Sequence, residues 1–231
     1  MYFSRFTHLT FDCYGTLIDW ETGILDALRP VVARHGQTVD DARLLALYAA
    51  HEARIEAGPY RPYRDVLREV ARGIADELGF AATSEEMEAL PASVGKWPPF
   101  PDTIDALRRL KRRFRLAILS NIDDALFADS QRLLKVEFDA VITAQQVGSY
   151  KPNPANFRFA LERLGVEVGQ VLHVAQSLYH DHVPAKELGF STVRIDRPSR
   201  LPGTGIAPPA DVKPDMELPD LKSLADRAGI L

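Results

Sequence analysis

His8-Leu9-Thr10-Phe11-Asp12-Cys13-Tyr14-Gly15-Thr16-Leu17 decides how this chain is read. His8 to Phe11 is a short apolar run that ends in a carboxylate, and a tight loop containing Gly15 follows. Such a run reads as a buried strand that delivers side chains to a site at its carboxyl end. A carboxylate at the end of a buried strand is costly unless donors surround it. A loop with glycine can turn backbone N–H groups toward an anion. A carboxylate held in that way is able to act as a covalent nucleophile. Taken alone, Asp12 reads equally as a side chain that caps a turn.

Four further strands are expected, at Arg115–Leu119, Phe138–Thr143, Val171–Ala175 and Ser191–Ile195. Helical patterns separate them, at Thr103–Arg113, Asp123–Leu134, Pro154–Leu164, and from Tyr179 to a stop at Gly189. Strands that alternate with helices predict an α/β fold with a parallel, doubly wound sheet, whose site lies beyond the carboxyl ends of the strands. The stretch from Trp20 to Pro99 differs. It carries helical patterns at Glu21–His35, Asp40–Ala57, Pro62–Leu78 and Ser84–Val94, with no clear strand between them. It reads as a helical cap (residues 20–99) inserted into a core made of residues 1–19 and 100–231, with Trp97-Pro98-Pro99-Phe100-Pro101 as the return hinge. Leu201 to Pro219 is rich in Pro and Gly and reads as an irregular surface loop before a last helix at Leu221–Ala228.

Composition narrows the function. The 231 residues hold 28 Lys+Arg against 32 Asp+Glu, a net charge of -4, with no long run of one sign. That balance argues against nucleic acid or an anionic membrane as partner, and leaves a small anionic substrate held by local donors. The single cysteine, Cys13, permits no intrachain disulfide and fits a reducing cytoplasm. No apolar stretch is long enough to span a bilayer, and the start of the chain does not read as a signal peptide.

Polar clusters stand after the other strands too. Ser120-Asn121 offers a hydroxyl and an amide, Lys151 supplies a positive charge near an anionic nucleophile, and Gln176-Ser177-Leu178-Tyr179-His180-Asp181 follows the fourth strand. Ser120 alone could be an N-cap and Lys151 a solvated side chain, but four clusters at four strand ends are hard to explain as four caps. The series Asp12 with Thr16, then Ser120, then Lys151, then a motif ending in Asp181 resembles the haloacid dehalogenase superfamily over nearly the whole chain. The resemblance implies a Rossmann-like core with a cap, Asp12 as nucleophile, and Ser120 and Lys151 holding and balancing the anions around it. Magnesium phosphatases of that superfamily place a second Asp two residues after the nucleophile and an acid at the start of the fourth motif. Here those positions are Tyr14 and Gln176, which argues against a magnesium site and leaves no cofactor expected.

The Asp-x-Tyr-Gly-Thr-Leu version is similar to the type II, (S)-2-haloacid dehalogenases. That resemblance implies attack by Asp12 on the carbon bearing the halogen, then hydrolysis of the ester by water that Lys151 and Asp181 position. Backbone N–H groups around Cys13 and Tyr14, with Ser120, would bind the substrate carboxylate, and Asn121 would cradle the halide. A homodimer is a further implication of the resemblance. Those dehalogenases carry an arginine early in the second cap helix; the comparable stretch, Leu47 to Arg54, has none at that place, and His51 or Arg54 would have to substitute or are ordinary helix residues. A second resemblance, at Asp12–Glu21, Leu119–Asp123 and Ser177–His182, is to the L-azetidine-2-carboxylate hydrolase branch, which implies a ring nitrogen as leaving group and a Tyr or His as its proton source. His180 and His182 are candidates for that work, or structural. Trp20 and Ser177 would face the substrate, Trp20 being equally readable as cap–core packing. Arg61, Tyr63 and Arg64 lie near a loop-to-helix transition that could face the site. A fold that binds a small ligand without turnover is the remaining class, and a nucleophile opposed by a lysine argues against it.

Overall fold

In the computed structural model, which describes residues 2–201 and 208–230, the apolar runs become β1 (His8–Phe11), β2 (Arg115–Ser120), β3 (Ala140–Thr143), β4 (Val171–Ala175) and β5 (Ser191–Ile195), joined by β6 (Met216–Leu218). All six pair in parallel, in the order β3-β2-β1-β4-β5-β6. The chain therefore runs outward from β1 on one side and, after β3, crosses back to build the other side from β4. At such a reversal the loops diverge and leave a crevice beyond the strand ends. Asp12 follows β1 and Gln176 follows β4, so the two flank it.

Helices cover both faces of the sheet, which is why its central strands are largely apolar and buried. They are α6 (Thr103–Leu110), α7 (Asp124–Leu134), α8 (Ala144–Val147), α9 (Ala155–Leu164), α10 (Val183–Glu187) and α11 (Leu221–Arg227). One face buries Leu9, Phe11, Ile118, Val174 and Val193. The other packs Ala117, Leu119 and Ile142 against Phe157 and Ala160 of α9.

Between β1 and β2 lie α1 (Trp20–Arg34), α2 (Asp41–Glu56), α3 (Tyr63–Glu77), α4 (Ser84–Met87) and α5 (Ala89–Ser93). The outgoing and returning chains run side by side: Asp19 N–H donates to Pro98 O at 2.8 Å and Phe100 N–H to Leu17 O at 3.0 Å. α2 packs along α3, and α1 against α5. Asp19 caps α1 by accepting from Thr22 N–H at 3.1 Å. α3 is capped from across the molecule, where Asp123 accepts from the N–H groups of Tyr63 and Arg64, each at 2.8 Å. That carboxylate satisfies two of the four orphan donors at the helix start and meets the positive end of its dipole.

Several expectations change. Ser84–Val94 is not one helix: Pro91 has no N–H and its ring excludes the carbonyl four residues back, and α4 ends at that residue, Met87. The stretch read as an irregular loop contains β6, a three-residue strand too short to show alternation. Residues 202–207 of that loop lie outside the described residues. The segment from Leu178 starts as a wide π-helical turn (Leu178–His182) before α10.

Candidate active site

The turn after β1 sets the site. Gly15 has φ +90, a conformation L side chains rarely adopt, and a Cβ there would sit 3.1 Å from Trp20 Nε1. Thr16 is thereby turned back, and its hydroxyl donates to Asp12 Oδ2 at 2.7 Å. The same oxygen of Thr16 accepts from Gln176 N–H at 2.9 Å, tying the β1 loop to the β4 loop.

Lys151 supplies the charge. Its ammonium donates to Asp12 Oδ1 at 2.9 Å, Asp181 Oδ1 at 2.6 Å and Leu119 O at 3.0 Å, with only 2 % of the residue exposed. Three acceptors match its three protons. Asn121 fixes its backbone, accepting from Lys151 N–H at 2.7 Å and donating to Lys151 O at 3.1 Å. Asp181 is carried by the π-helical turn, and His173, buried inside β4, donates from Nε2 to Asp181 Oδ1 at 2.9 Å. Thr10 Oγ1 holds the other ring nitrogen of His173 at 2.9 Å.

Charge states follow from burial and partners. Burial would drive the Lys151 pKa down, but Asp12 and Asp181 outweigh it, and the net shift is upward. Burial likewise opposes ionisation of Asp181, yet Lys151 and His173 hold its carboxyl well below the usual range. Asp12 is raised, chiefly by burial, against the pull of Lys151. His180 and His182 are each lowered to about 4, burial first, so both are neutral at pH 7.

A small cavity of about 40 Å³ is lined by Asp12, Tyr14, Trp20, Ser120, Asn121, Lys151, Gln176, Ser177, His180 and Asp181 from the strand-end loops and α1, and by Glu52, Glu56 and Tyr63 from α2 and α3. Ser120 Oγ and Asp181 Oδ2 are buried there with no hydrogen-bond partner among the described residues. Cys13 is fully buried and is not among the residues that line the cavity. Tyr14 lines it but commits its hydroxyl to Ser130 Oγ at 2.8 Å. Asn121 has its amide turned to Lys151 rather than free for an anion. His182 donates to Ala175 O at 3.0 Å and is not among the residues that line the cavity.

Neither His51 nor Arg54, the candidates to replace the absent arginine, is among the residues that line this cavity. His51 packs on Gly73 and pairs with Glu77, and Arg54 reaches His51 at the surface. Arg61 and Arg64 pair with Glu69 and Glu88. Sequence reasoning missed Glu52, Glu56, Tyr48 and His173. Glu52 and Glu56 carried a readable signal, since they sit four apart on the helix whose face toward the cavity was already in question. His173 carried none, because a histidine in an apolar strand reads as a core residue. Among the described residues no group of three or more His, Cys, Asp or Glu is placed to hold a metal ion. No helix of the described residues is long and apolar enough to cross a membrane.

A family model described as haloacid dehalogenase-like hydrolase matches residues 6–181. The chain is 28% identical over 209 residues to (S)-2-haloacid dehalogenase 4A of Burkholderia cepacia, covering 86% of each. It is 29% identical to the (S)-2-haloacid dehalogenase of Xanthobacter autotrophicus, over 83% of this chain and 76% of that protein. The solved L-2-haloacid dehalogenase of Xanthobacter autotrophicus superposes with a TM-score of 0.81 at 24% identity, covering 96% of this chain and 97% of that one, a likeness of fold.

Proposed function

Because this chain belongs to the haloacid dehalogenase-like hydrolases, we propose that it hydrolyses a small 2-haloacid through an ester on Asp12, without a metal. The observation that carries this reading is the single buried ammonium of Lys151 shared by Asp12 and Asp181 beside the cavity they line. Residues 20–99 act as the cap that closes the cavity over residues 1–19 and 100–231.

In the first step a carboxylate oxygen of Asp12 attacks C2, the C2–halogen bond breaks, and the halide leaves with the bonding pair, inverting C2. Ser120 Oγ, otherwise without a partner, holds the substrate carboxylate. In the second step Asp181 Oδ2, the free oxygen of that carboxylate, takes a proton from water. The hydroxide formed attacks Cγ of Asp12 and Lys151 balances the negative charge that develops there; the Cγ–O bond to the substrate oxygen then breaks, that oxygen takes the proton back from Asp181 to leave as the 2-hydroxy acid, and Asp12 regains its carboxylate on losing a proton to water. The donor set supports metal independence: Tyr14 and Gln176 stand where a magnesium site would need acids.

One observation favours a second leaving group. Lys151 is the sole cationic side chain lining the cavity among the described residues, so no arginine receives a halide. A strained ring nitrogen, protonated as it binds, fits the same attack: C2–N breaks and the pair goes to nitrogen, which leaves as a neutral amine.

The test is chloride release from each enantiomer of 2-chloropropionate with EDTA present, and a single turnover in H₂¹⁸O. Release from the S enantiomer, with the label in Asp12 and not in the first product, supports the ester. Label in the first-turnover product would refute it, as would full activity in Asp12→Asn.

A further inference from the structure

α2 turns two acids toward the nucleophile. Glu52 and Glu56 are one helical turn apart and line the same cavity as Asp12. Glu52 Oε1 accepts from Tyr48 OH at 2.7 Å and from Tyr63 OH at 2.5 Å, so both phenols spend themselves on one oxygen. Among the described residues, Glu56 Oε2 has one long contact, 3.5 Å from Asn121 Nδ2. Neither acid is within ion-pair distance of a Lys, Arg or His among the described residues. Glu56, Lys151 and His180 also line an adjoining cavity of about 450 Å³, so Glu56 stands where the two cavities meet.

These acids suit neither a halide nor a purely anionic substrate. Asp12 and Asp181 already outnumber the single Lys151 ammonium, and a substrate carboxylate adds another negative charge. Placing a buried Glu52 and a half-buried Glu56 beside them is costly unless something positive arrives. Burial, first of all, raises both carboxyl groups, Glu56 further because Glu52 is its neighbour. Independently, Ser120 Oγ, 3% exposed and without a hydrogen-bond partner among the described residues, offers this cavity a buried hydroxyl able to bind a ligand.

We propose that Glu52 and Glu56 form a subsite for a protonated nitrogen, so that the substrate is a small zwitterion: a 2-substituted acid that also carries an ammonium group. The proposal rests on the Asp12 reading for where C2 sits. Ser120 takes the carboxylate, Asp12 faces C2, and the ammonium points to α2. A substrate with no net charge then enters a cavity that a simple haloalkanoate enters only against repulsion, which is discrimination by an unpaired acid as much as by attraction.

Calorimetric binding of two isosteric ligands to the full chain tests it: 4-aminobutanoate, and pentanoate, in which a methyl replaces the ammonium. At least tenfold tighter binding of 4-aminobutanoate is expected, with Glu56→Gln and Glu52→Gln each losing most of that preference. Equal or tighter binding of pentanoate overturns the subsite, and so does a preference that survives both substitutions. Should Glu52→Gln fail to fold for want of its phenol contacts, Glu56→Gln, which has no short partner, still decides. Chloride release from (S)-4-amino-2-chlorobutanoate and (S)-2-chloropentanoate reports separately on Asp12. No release from either, with the binding preference intact, sinks the dehalogenation reading and leaves the subsite standing.

Discussion

Lys151→Met removes the one cation shared by two buried carboxylates, and its cost is set by what remains around them. Asp12 keeps the Thr16 hydroxyl at 2.7 Å and Asp181 keeps His173 at 2.9 Å. With 7% and 1% of the residues exposed, neither gains useful hydration in exchange. Breaking a buried pair by removing one partner costs about 3–5 kcal/mol. Protonation caps the cost for each carboxylate: neutralising a group of ordinary pKa at pH 7 costs about 1.4 kcal/mol for each of roughly three pH units, or about 4 kcal/mol. We therefore expect Lys151→Met to lose about 3–5 kcal/mol at pH 7.5. The pH dependence has a definite sign. In wild type the Asp181 pKa is depressed, so its contribution is present at and above the unfolded carboxylate range and is lost only as pH falls through and below it. In the variant a carboxylate is raised above its unfolded value, so its penalty is full at high pH and fades as pH falls. The gap should then narrow by about 1.4 kcal/mol per pH unit for each proton taken up, to about 1–2 kcal/mol at pH 5. Urea unfolding followed by far-UV circular dichroism at the two pH values measures this. A variant as stable as wild type at pH 7.5, or a loss that does not shrink at pH 5, would refute the claim that Lys151 neutralises these two groups.

Asn121→Ala should lower kcat with little change in KM and cost about 1–3 kcal/mol, since it removes two hydrogen bonds to the Lys151 backbone; unfolding and steady-state kinetics together check it. Gly23→Ala places a Cβ 2.1 Å from Trp97 Cγ in a fully packed contact, and should cost about 3 kcal/mol or more, with a shifted tryptophan emission. Turnover should survive excess EDTA, and loss of activity restored by Mg²⁺ would show that Tyr14 and Gln176 have been misjudged.

The strands were legible because a buried parallel sheet leaves a strong mark. Val171–Ala175 and Ser191–Ile195 are read at their observed bounds from mainly apolar or β-branched character, interrupted by His173 and Arg194. So were the residues at their ends, where a polar side chain after an apolar run has few structural excuses. Asp12, Thr16, Ser120, Lys151 and Asp181 are brought together as their order along the chain suggested. The face of α2 was harder. Helical periodicity says which residues share a side of that helix but not whether that side meets solvent, core or a cavity. Glu52 is buried among phenols, and Arg54, two residues on, is exposed at the surface; at the level of composition they read alike.

The histidines show the same limit in sharper form. His180 and His182 drew notice because they adjoin Asp181 in sequence, yet His182 donates to a backbone carbonyl and His180 to or from Ser177 Oγ at 3.2 Å. The histidine that touches Asp181 is His173, eight residues earlier, because the parallel strand brings it under the returning π-helical turn. Its effect is specific to one atom. Asp181 accepts only through lone pairs, so Nε2 must carry the proton, and Thr10 serves the opposite nitrogen. Lys151 and His173 both fall on Oδ1, leaving Oδ2 without a donor. A carboxylate held ionised by two donors on one oxygen keeps the other for a further partner, and in the proposed mechanism that division of labour, more than the presence of Asp181 itself, is what would let the site take a proton from water.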